Sequence, residues 1–367
     1  MSAPYTVRWG ILGPGWIAGE FSKDLVLDPS TRGVTDIKHI VQAAASATSL
    51  ERAKTFLSDV GAPNGTAYGS YEELIADPNV DIIYIATPHS HHFPQCLMAL
   101  NAGKPVVCEK PFTVNTEQTR ILVELARNKG LFLMEAVWTR FFPISVQIRA
   151  LIKEGRIGEV RRVFADLSMA QAPEEKYDDS HRMVNPDLAG GVLLDLGVYS
   201  LTWVYQTLYH TLPAAVKPQS KPTVTGTISK YERTGVDVEN AVIVKFPNSI
   251  GIATSSIRVA ADPEDNNHTA IKIQGTLGEI RVDHPAYAPA GYSIVVAGKG
   301  VERVECPVPA GKGMHWEADE AARCLRDGKL ESETIPLEES LLVMEAMDTV
   351  RAQAGFRYPE VIESTEH

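Results

Sequence analysis

A buried strand running directly into two closely spaced glycines limits this chain more than any other feature. Val7-Arg8-Trp9-Gly10-Ile11-Leu12 reads as that strand, and Gly13-Pro14-Gly15-Trp16-Ile17-Ala18 follows at once, opening a helix through Lys23 and Leu27. In such a G-x-G-x-x-A turn the first glycine permits the tight bend and the second lets backbone approach a pyrophosphate. The small Ala18 lets the helix pack on the strand. The first turn of that helix, from Trp16 and Ile17, then offers unpaired N–H groups and a positive dipole end to phosphate oxygens. Pro14 removes one N–H donor, so the phosphate contacts depart in detail from the usual pattern.

The second strand, 37–45, ends in Ser46-Ala47-Thr48-Ser49-Leu50-Glu51-Arg52. A site for NAD normally has Asp or Glu here, holding the ribose 2'-hydroxyl. A carboxylate would repel a 2'-phosphate, whereas Ser46, Thr48 and Arg52 can bind one, so NADP is the expected cofactor. Arg52 has a plainer reading as a cation solvating a helix face beside Glu51.

Strand and helix keep alternating to about residue 134, which predicts a parallel, doubly wound sheet. A strand at 81–86 delivers Thr87-Pro88-His89-Ser90-His91-His92. Three histidines invite a metal reading, but no cysteine or carboxylate stands beside them at ligand spacing, and none is expected. At the carboxyl end of a parallel strand, Thr87, Pro88 and His92 are instead expected to border the cofactor. The next strand, 106–108, presents Glu109 and Lys110 before Pro111 stops it. A lysine so placed is a candidate for chemistry, Glu109 is expected to anchor the turn or the nicotinamide ribose, and Pro111 is geometry.

After Glu135 the texture changes. Ala136-Val137-Trp138-Thr139-Arg140-Phe141-Phe142-Pro143 is aromatic and bends at proline. Strands are then expected at 160–167, 223–232, 241–246, 250–258, 269–274, 279–283 and 292–296, a large, mostly antiparallel open sheet. Helices are expected at 316–327 and 337–354. With 367 residues, more than one core usually serves, the chain divides into 1–135 and 136–367. The whole is α/β with a second α+β domain.

The second half carries Asp178-Asp179-Ser180-His181-Arg182, Asn185, and the run from Gly190 to Asp195 and Tyr199. Asp195 and Tyr199 stand i, i+4 and share a helix face. A buried carboxylate is costly unless paired, which makes Asp195 hard to read as filler, whereas Tyr199 also reads as a structural helix tyrosine. Asp179 is a candidate for substrate binding, and His181, Arg182 and Asn185 either meet substrate hydroxyls or tie their own loop together. Residues 190–208 are long and apolar enough to need a membrane check, but Asp195 inside them favours a buried helix.

A formal charge of -11 argues against nucleic acid. Four scattered cysteines, with no CxxC pair, and no leader in 1–9 make the expected location cytoplasmic and the thiols reduced.

Together the glycine loop, Thr87-Pro88, Glu109-Lys110-Pro111 and Gly190-Gly191 through Asp195 to Tyr199 resemble the Gfo/Idh/MocA oxidoreductase family, over essentially the whole chain. Met134 to Arg140, Asp179 to Pro186 and Phe246-Pro247 resemble its branch of fungal NADP-dependent D-xylose 1-dehydrogenases. Tyr199, where many members have histidine, is shared with dimeric dihydrodiol dehydrogenases. The resemblance implies a Rossmann domain, NADP, an aldopentose or related sugar as substrate, and a homodimer through the outer face of the second sheet. It implies catalytic roles for Lys110, Tyr199 and Asp195, and places Trp138 and Arg140 near nicotinamide and substrate, with Phe141 in the substrate pocket.

The activity it implies is oxidation of the anomeric hydroxyl of an aldopyranose, D-xylose to D-xylonolactone. The alternatives are trans-1,2-dihydrodiol oxidation and a non-catalytic NADP sensor. On this reading Lys110 lowers the Tyr199 phenol pKa by roughly 1 to 3 units, making it a base.

Overall fold

The computed structural model describes residues 3–266 and 268–366; Met1 and Ser2, where the stretch read for a leader begins, lie outside the described residues, as do Asn267 and His367. The first half holds strands β1 (Tyr5–Leu12), β2 (Ile37–Ala45), β3 (Thr66–Tyr68), β4 (Ile82–Ile85), β5 (Val106–Glu109) and β6 (Leu133–Ala136). They form one parallel sheet in the order β3-β2-β1-β4-β5-β6. Every side chain of β4, β5 and β6 is buried, as expected of strands covered on both faces. The covering helices are α1 (Trp16–Val26), α2 (Leu50–Asp59), α3 (Tyr71–Ile75), α4 (His92–Asn101) and α5 (Thr116–Lys129). Ser49, Ser70 and Asn115 cap α2, α3 and α5 by accepting backbone N–H bonds, and Gly130 closes α5. Strand order reverses between β1 and β4, where such sheets bind ligands outside their carboxyl ends.

The second half begins with α6 (Pro143–Lys153), β7 (Val160–Ser168) and the short α7 (Pro173–Lys176). A π-helical turn, Leu193–Gly197, then runs into α8 (Val198–Leu208). Strands β8 (Thr223–Lys230), β9 (Asp237–Lys245), β10 (Ile250–Ser256), β11 (Thr269–Gly275), β12 (Gly278–Asp283), β13 (Gly291–Val296) and β14 (Gly300–Glu305) follow. The sheet order is β14-β13-β12-β11-β7-β10-β9-β8, antiparallel throughout except where β7 pairs with β10. The sequence reading missed β3, three residues long, and β14, whose Gly-Val-Glu-Arg-Val-Glu side chains are almost all exposed.

Helix α8 is buried along its whole length and packs on β7 and β10. The apolar span 186–208 is long enough to cross a membrane, yet 94% of its most hydrophobic window is buried inside the protein. Helices α9 (His315–Arg326) and α10 (Leu337–Gln353) return to the first half, α9 against α1, β1 and β2, and α10 against α5 and β6; α11 (Glu360–Glu363) ends the ordered elements.

Candidate active site

At the end of β1, Gly13 has φ +80° and a Cβ there would lie 2.6 Å from Thr87 Cγ2, so only glycine lets the two loops meet. Gly15 caps α1 without a side chain, and a Cβ on it would meet nothing closer than Gly13 O at 3.9 Å. The first turn of α1 is thus left open, with Trp16 75% exposed, Ile17 half-buried and Ala18 packed inside. Across from it, Ser46 Oγ lies 3.1 Å from Thr48 Oγ1, and Arg52 donates to Pro14 O at 3.4 Å. Glu51 turns away to Lys54 at 3.3 Å. Hydroxyls and a cation thus gather at this corner of the glycine loop while the neighbouring Glu51 is paired with Lys54, which suits a 2'-phosphate.

The ends of β5 and β6 meet the π turn. Lys110 precedes a cis peptide bond to Pro111, and its Nζ donates to Asp195 O at 2.7 Å and Oδ1 at 3.0 Å. The same ammonium lies 5.0 Å from the Tyr199 ring centroid. Trp138, directly after β6, donates its Nε1–H to Tyr199 Oη at 2.8 Å. Arg182 Nη1 reaches Asp195 Oδ1 at 3.1 Å, and His89 Nε2 stands 3.5 Å from that oxygen. Among the described residues Asp195 Oδ2 has no hydrogen-bond partner. Burial opposes the charge on Asp195, but Lys110, Arg182 and His89 outweigh it and hold the carboxyl well below its ordinary range.

The expected depression of the Tyr199 phenol is corrected. Burial, followed by the nearby Glu109 charge, pushes it well above 10, against the pull of the Trp138 N–H. The ammonium meant to lower it is bound to Asp195 and lies over the ring rather than at Oη. Glu109 anchors the turn: its carboxylate accepts the Tyr84 hydroxyl and the Lys110 N–H, and burial pushes its pKa up to about 7.

Several sequence candidates take other positions. Arg140 is buried and donates to Glu339 Oε2 at 2.8 Å and to Thr334 O, so its guanidinium is engaged inside the second half and not at the cleft. Phe141 lies in the hydrophobic core. His92 is fully buried, with Nδ1 2.8 Å from Pro111 O and Nε2 2.9 Å from Thr87 O. Burial lowers its pKa to about 3, so the neutral ring donates to one of these two carbonyls and packs against the other, filling the space between the cofactor-side loop and the Lys110 turn.

Asp179 pairs outward with Arg233 at 2.7 Å. His181 stacks on Tyr177 and accepts Met183 N–H at 3.2 Å, while Asn185 accepts Asp187 N–H at 2.9 Å. For His181 and Asn185 the loop-tying alternative describes the contacts, Asp179 is turned to Arg233, and of the four polar candidates Arg182 joins the cluster.

Three residues were not singled out from sequence. His89 was passed over for its neighbour His92. Asp237 in β9 accepts Leu193 N–H at 2.6 Å, fixing the start of the π turn beneath Asp195. Gly191, at φ +121°, is needed there because a Cβ would collide with Asp237 Oδ1. Tyr287 stacks on Trp138 with centroids 5.9 Å apart and stands 6.0 Å from Tyr199, completing an aromatic wall. A glycine pair before an apolar helix signals a close approach, but nothing local names Asp237 as its partner.

Comparison with known proteins identifies the family and the fold. Residues 7–137 match the oxidoreductase family model with an NAD-binding Rossmann fold, and residues 145–281 match the GFO/IDH/MocA C-terminal domain. A D-xylose 1-dehydrogenase (NADP(+)) from Hypocrea jecorina is 53% identical over 98% of this chain and 95% of its own length. A trans-1,2-dihydrobenzene-1,2-diol dehydrogenase from Homo sapiens is 36% identical over 96% of this chain and 98% of its own. In fold, the chain is similar to a levoglucosan dehydrogenase solved with NADH and levoglucosan (TM-score 0.81, 18% identity, 95% and 97% covered). It is likewise similar to the 3-ketoreductase KijD10 of Actinomadura kijaniata solved with NADP (TM-score 0.78, 24% identity, 95% and 98% covered).

Proposed function

The chain belongs to the GFO/IDH/MocA oxidoreductase family, and on that premise we propose that it oxidises the anomeric hydroxyl of an aldopyranose, D-xylose to D-xylonolactone, with NADP. The observation that carries the chemistry is the convergence of Lys110, Asp195 and Tyr199 where the end of β5 meets the π turn; the 53%-identical relative supports the substrate. The residues around the 2'-phosphate corner, Ser46, Thr48 and Arg52, fit NADP. When bound, NADP supplies the hydride acceptor.

The sugar C1 hydroxyl lies between Lys110 Nζ and Tyr199 Oη. Its proton passes to Tyr199 Oη as the C1 hydride departs, leaving the lactone carbonyl. Tyr199 must first be a phenolate, which burial opposes and the Trp138 N–H favours. The Lys110 ammonium assists when it turns from Asp195 to the reacting oxygen, where a positive charge stabilises developing alkoxide. Asp195 Oδ2 accepts a substrate hydroxyl.

A second reading, trans-dihydrodiol oxidation, is favoured by the Trp138–Tyr287 aromatic wall and uses the same residues. A screen of D-xylose, D-glucose, L-arabinose and a trans-dihydrodiol with NADP and NAD separates the two. D-xylose with NADP is expected to give the highest kcat/KM. A strict NAD preference overturns the role given to Ser46, Thr48 and Arg52, and a dihydrodiol optimum installs the second reading.

The proposal extends to assembly and location. Phe164, Ile252 and Ile243 lie side by side across β7, β10 and β9, with Phe164 and Ile243 exposed, and this strip supports a homodimer through the outer sheet face. Four free thiols support a cytoplasmic location. We place the boundary between cofactor and substrate domains near residue 135, at the end of β6.

A further inference from the structure

His89 opens the turn that follows β4, directly after Thr87-Pro88. Its ring is buried, so it does not border the cleft itself. Nδ1 lies 3.0 Å from Ala189 O, so in the neutral ring Nδ1 carries the hydrogen, and the bare Nε2 stands 3.5 Å from Asp195 Oδ1 in packing contact without donating to it. That oxygen is also the one that receives Lys110 and Arg182.

The carbonyl at the other end of the ring belongs to a strained position. Ala189 has φ +52°, a left-handed conformation that a residue with a Cβ adopts only when its surroundings fix it. Gly190 and Gly191 follow, and Asp237 holds Leu193 N–H from the opposite side. The segment that carries Asp195 is therefore fixed at one end by its own sheet and at the other by a histidine from the cofactor half. Three residues on, the His92 ring lies between Thr87 O and Pro111 O, donating to one of them. The rings of His89 and His92 meet edge to face with centroids 5.8 Å apart. The two histidines thus join the cofactor-side loop, the Lys110 turn and the loop leading to Asp195.

We propose that His89 is a positioning residue, which through its bond to Ala189 O locks the loop leading to Asp195 against the cofactor-side loop so that Lys110 is aimed into the cleft. It acts through Asp195 and does not touch substrate. The inference rests on the reading of Lys110 and Asp195 as catalytic machinery.

The test compares His89→Leu, which loses the bond to Ala189 O, with His89→Asn, whose amide can replace the Nδ1–H donated to Ala189. His89→Leu is expected to lower kcat with D-xylose at least ~10-fold, since small misplacements of reacting groups are costly. Its Kd for NADP, read by fluorescence titration, should stay within about twofold. His89→Asn should recover most of the turnover, and crystal structures should show Lys110 parted from Asp195 in the leucine variant alone.

Turnover of His89→Leu within twofold of wild type, no recovery in His89→Asn, or an unchanged Lys110–Asp195 contact in the leucine variant overturns the proposal. If His89→Leu does not fold, His89→Asn carries the test: turnover near wild type with the Ala189 bond intact supports it, and loss of turnover with that bond intact defeats it. Wild-type enzyme is the control. Its failure to reduce NADP with any sugar defeats the proposed function instead, and the structural comparison still reads His89 alone.

Discussion

Two buried carboxylates in this protein each gather one lysine, one arginine and one histidine, and they do different work. Asp195 holds Lys110, Arg182 and His89; Glu339 holds Lys217, Arg140 and His210. Glu339 uses both oxygens, Oε1 for His210 and Lys217 and Oε2 for Arg140, and side-chain exposure is 2% for both Glu339 and Arg140. Asp195 receives its partners on Oδ1, and Arg182 is 50% exposed. The first arrangement is closed and knits α10 to the turn after β6. The second keeps an oxygen free and a cation at the cleft, and its lysine can leave. Residue types alone do not make a site; an unfilled bonding position beside a cofactor loop does.

The sharpest way to break the comparison is to remove Glu339. Glu339→Gln leaves Arg140 buried without its counter-charge, which costs about 3–5 kcal/mol of stability. Urea midpoints check this, while activity per folded molecule should hold within about threefold. Burial opposes the Glu339 charge, but Arg140 and His210 prevail and lower its pKa to about 2. The folded pKa lies below the unfolded one, so this stability is present above about 4.5 and is lost as pH falls towards 2. In Glu339→Gln that part of the acid limb should vanish; an unaltered midpoint would show the cluster to be no more than surface-like pairing.

Lys110→Met and Tyr199→Phe probe the other cluster. Each should lower kcat at least ~100-fold, about 2.7 kcal/mol of barrier, while NADP still binds. Stability should change less than in Glu339→Gln, because Asp195 keeps Arg182 when Lys110 is gone. Near-normal NADPH formation in either variant removes that residue from the mechanism.

The sequence carried the cofactor half well because its signals are local. Gly13, Gly15 and Ala18 sit between a strand and a helix, Ser46 to Arg52 follow the next strand, and Lys110 ends a buried one. The two arginines could not be told apart in the same way. Arg140 stands in an aromatic turn beside the site, yet its carboxylate lies 199 residues further on. Asp237, which fixes the Asp195 turn, comes 44 residues after Leu193. The π turn was invisible too, since an apolar run predicts helix and not its register. Among the three histidines, spacing does not say which ring faces the second half. Such choices are made by tertiary packing, and local pattern holds no record of them.

The smallest expected effect is the most discriminating. Arg182→Gln removes a cation whose side chain is half in solvent, and pairs that exposed contribute about 0–1 kcal/mol. Asp195 keeps Lys110 at 3.0 Å, so neither fold nor lysine position should depend on Arg182. What is lost is a planar donor at the mouth of the cleft, where the sugar's remaining hydroxyls must be held. The KM for D-xylose should therefore rise roughly 3- to 10-fold, the worth of one hydrogen bond to a charged donor, with the KM for NADP within about twofold. Unfolding measurements should find the variant as stable as the wild type. If instead stability falls by more than about 2 kcal/mol and the sugar KM does not move, Arg182 is a second Arg140, and the distinction between an open and a closed cluster fails.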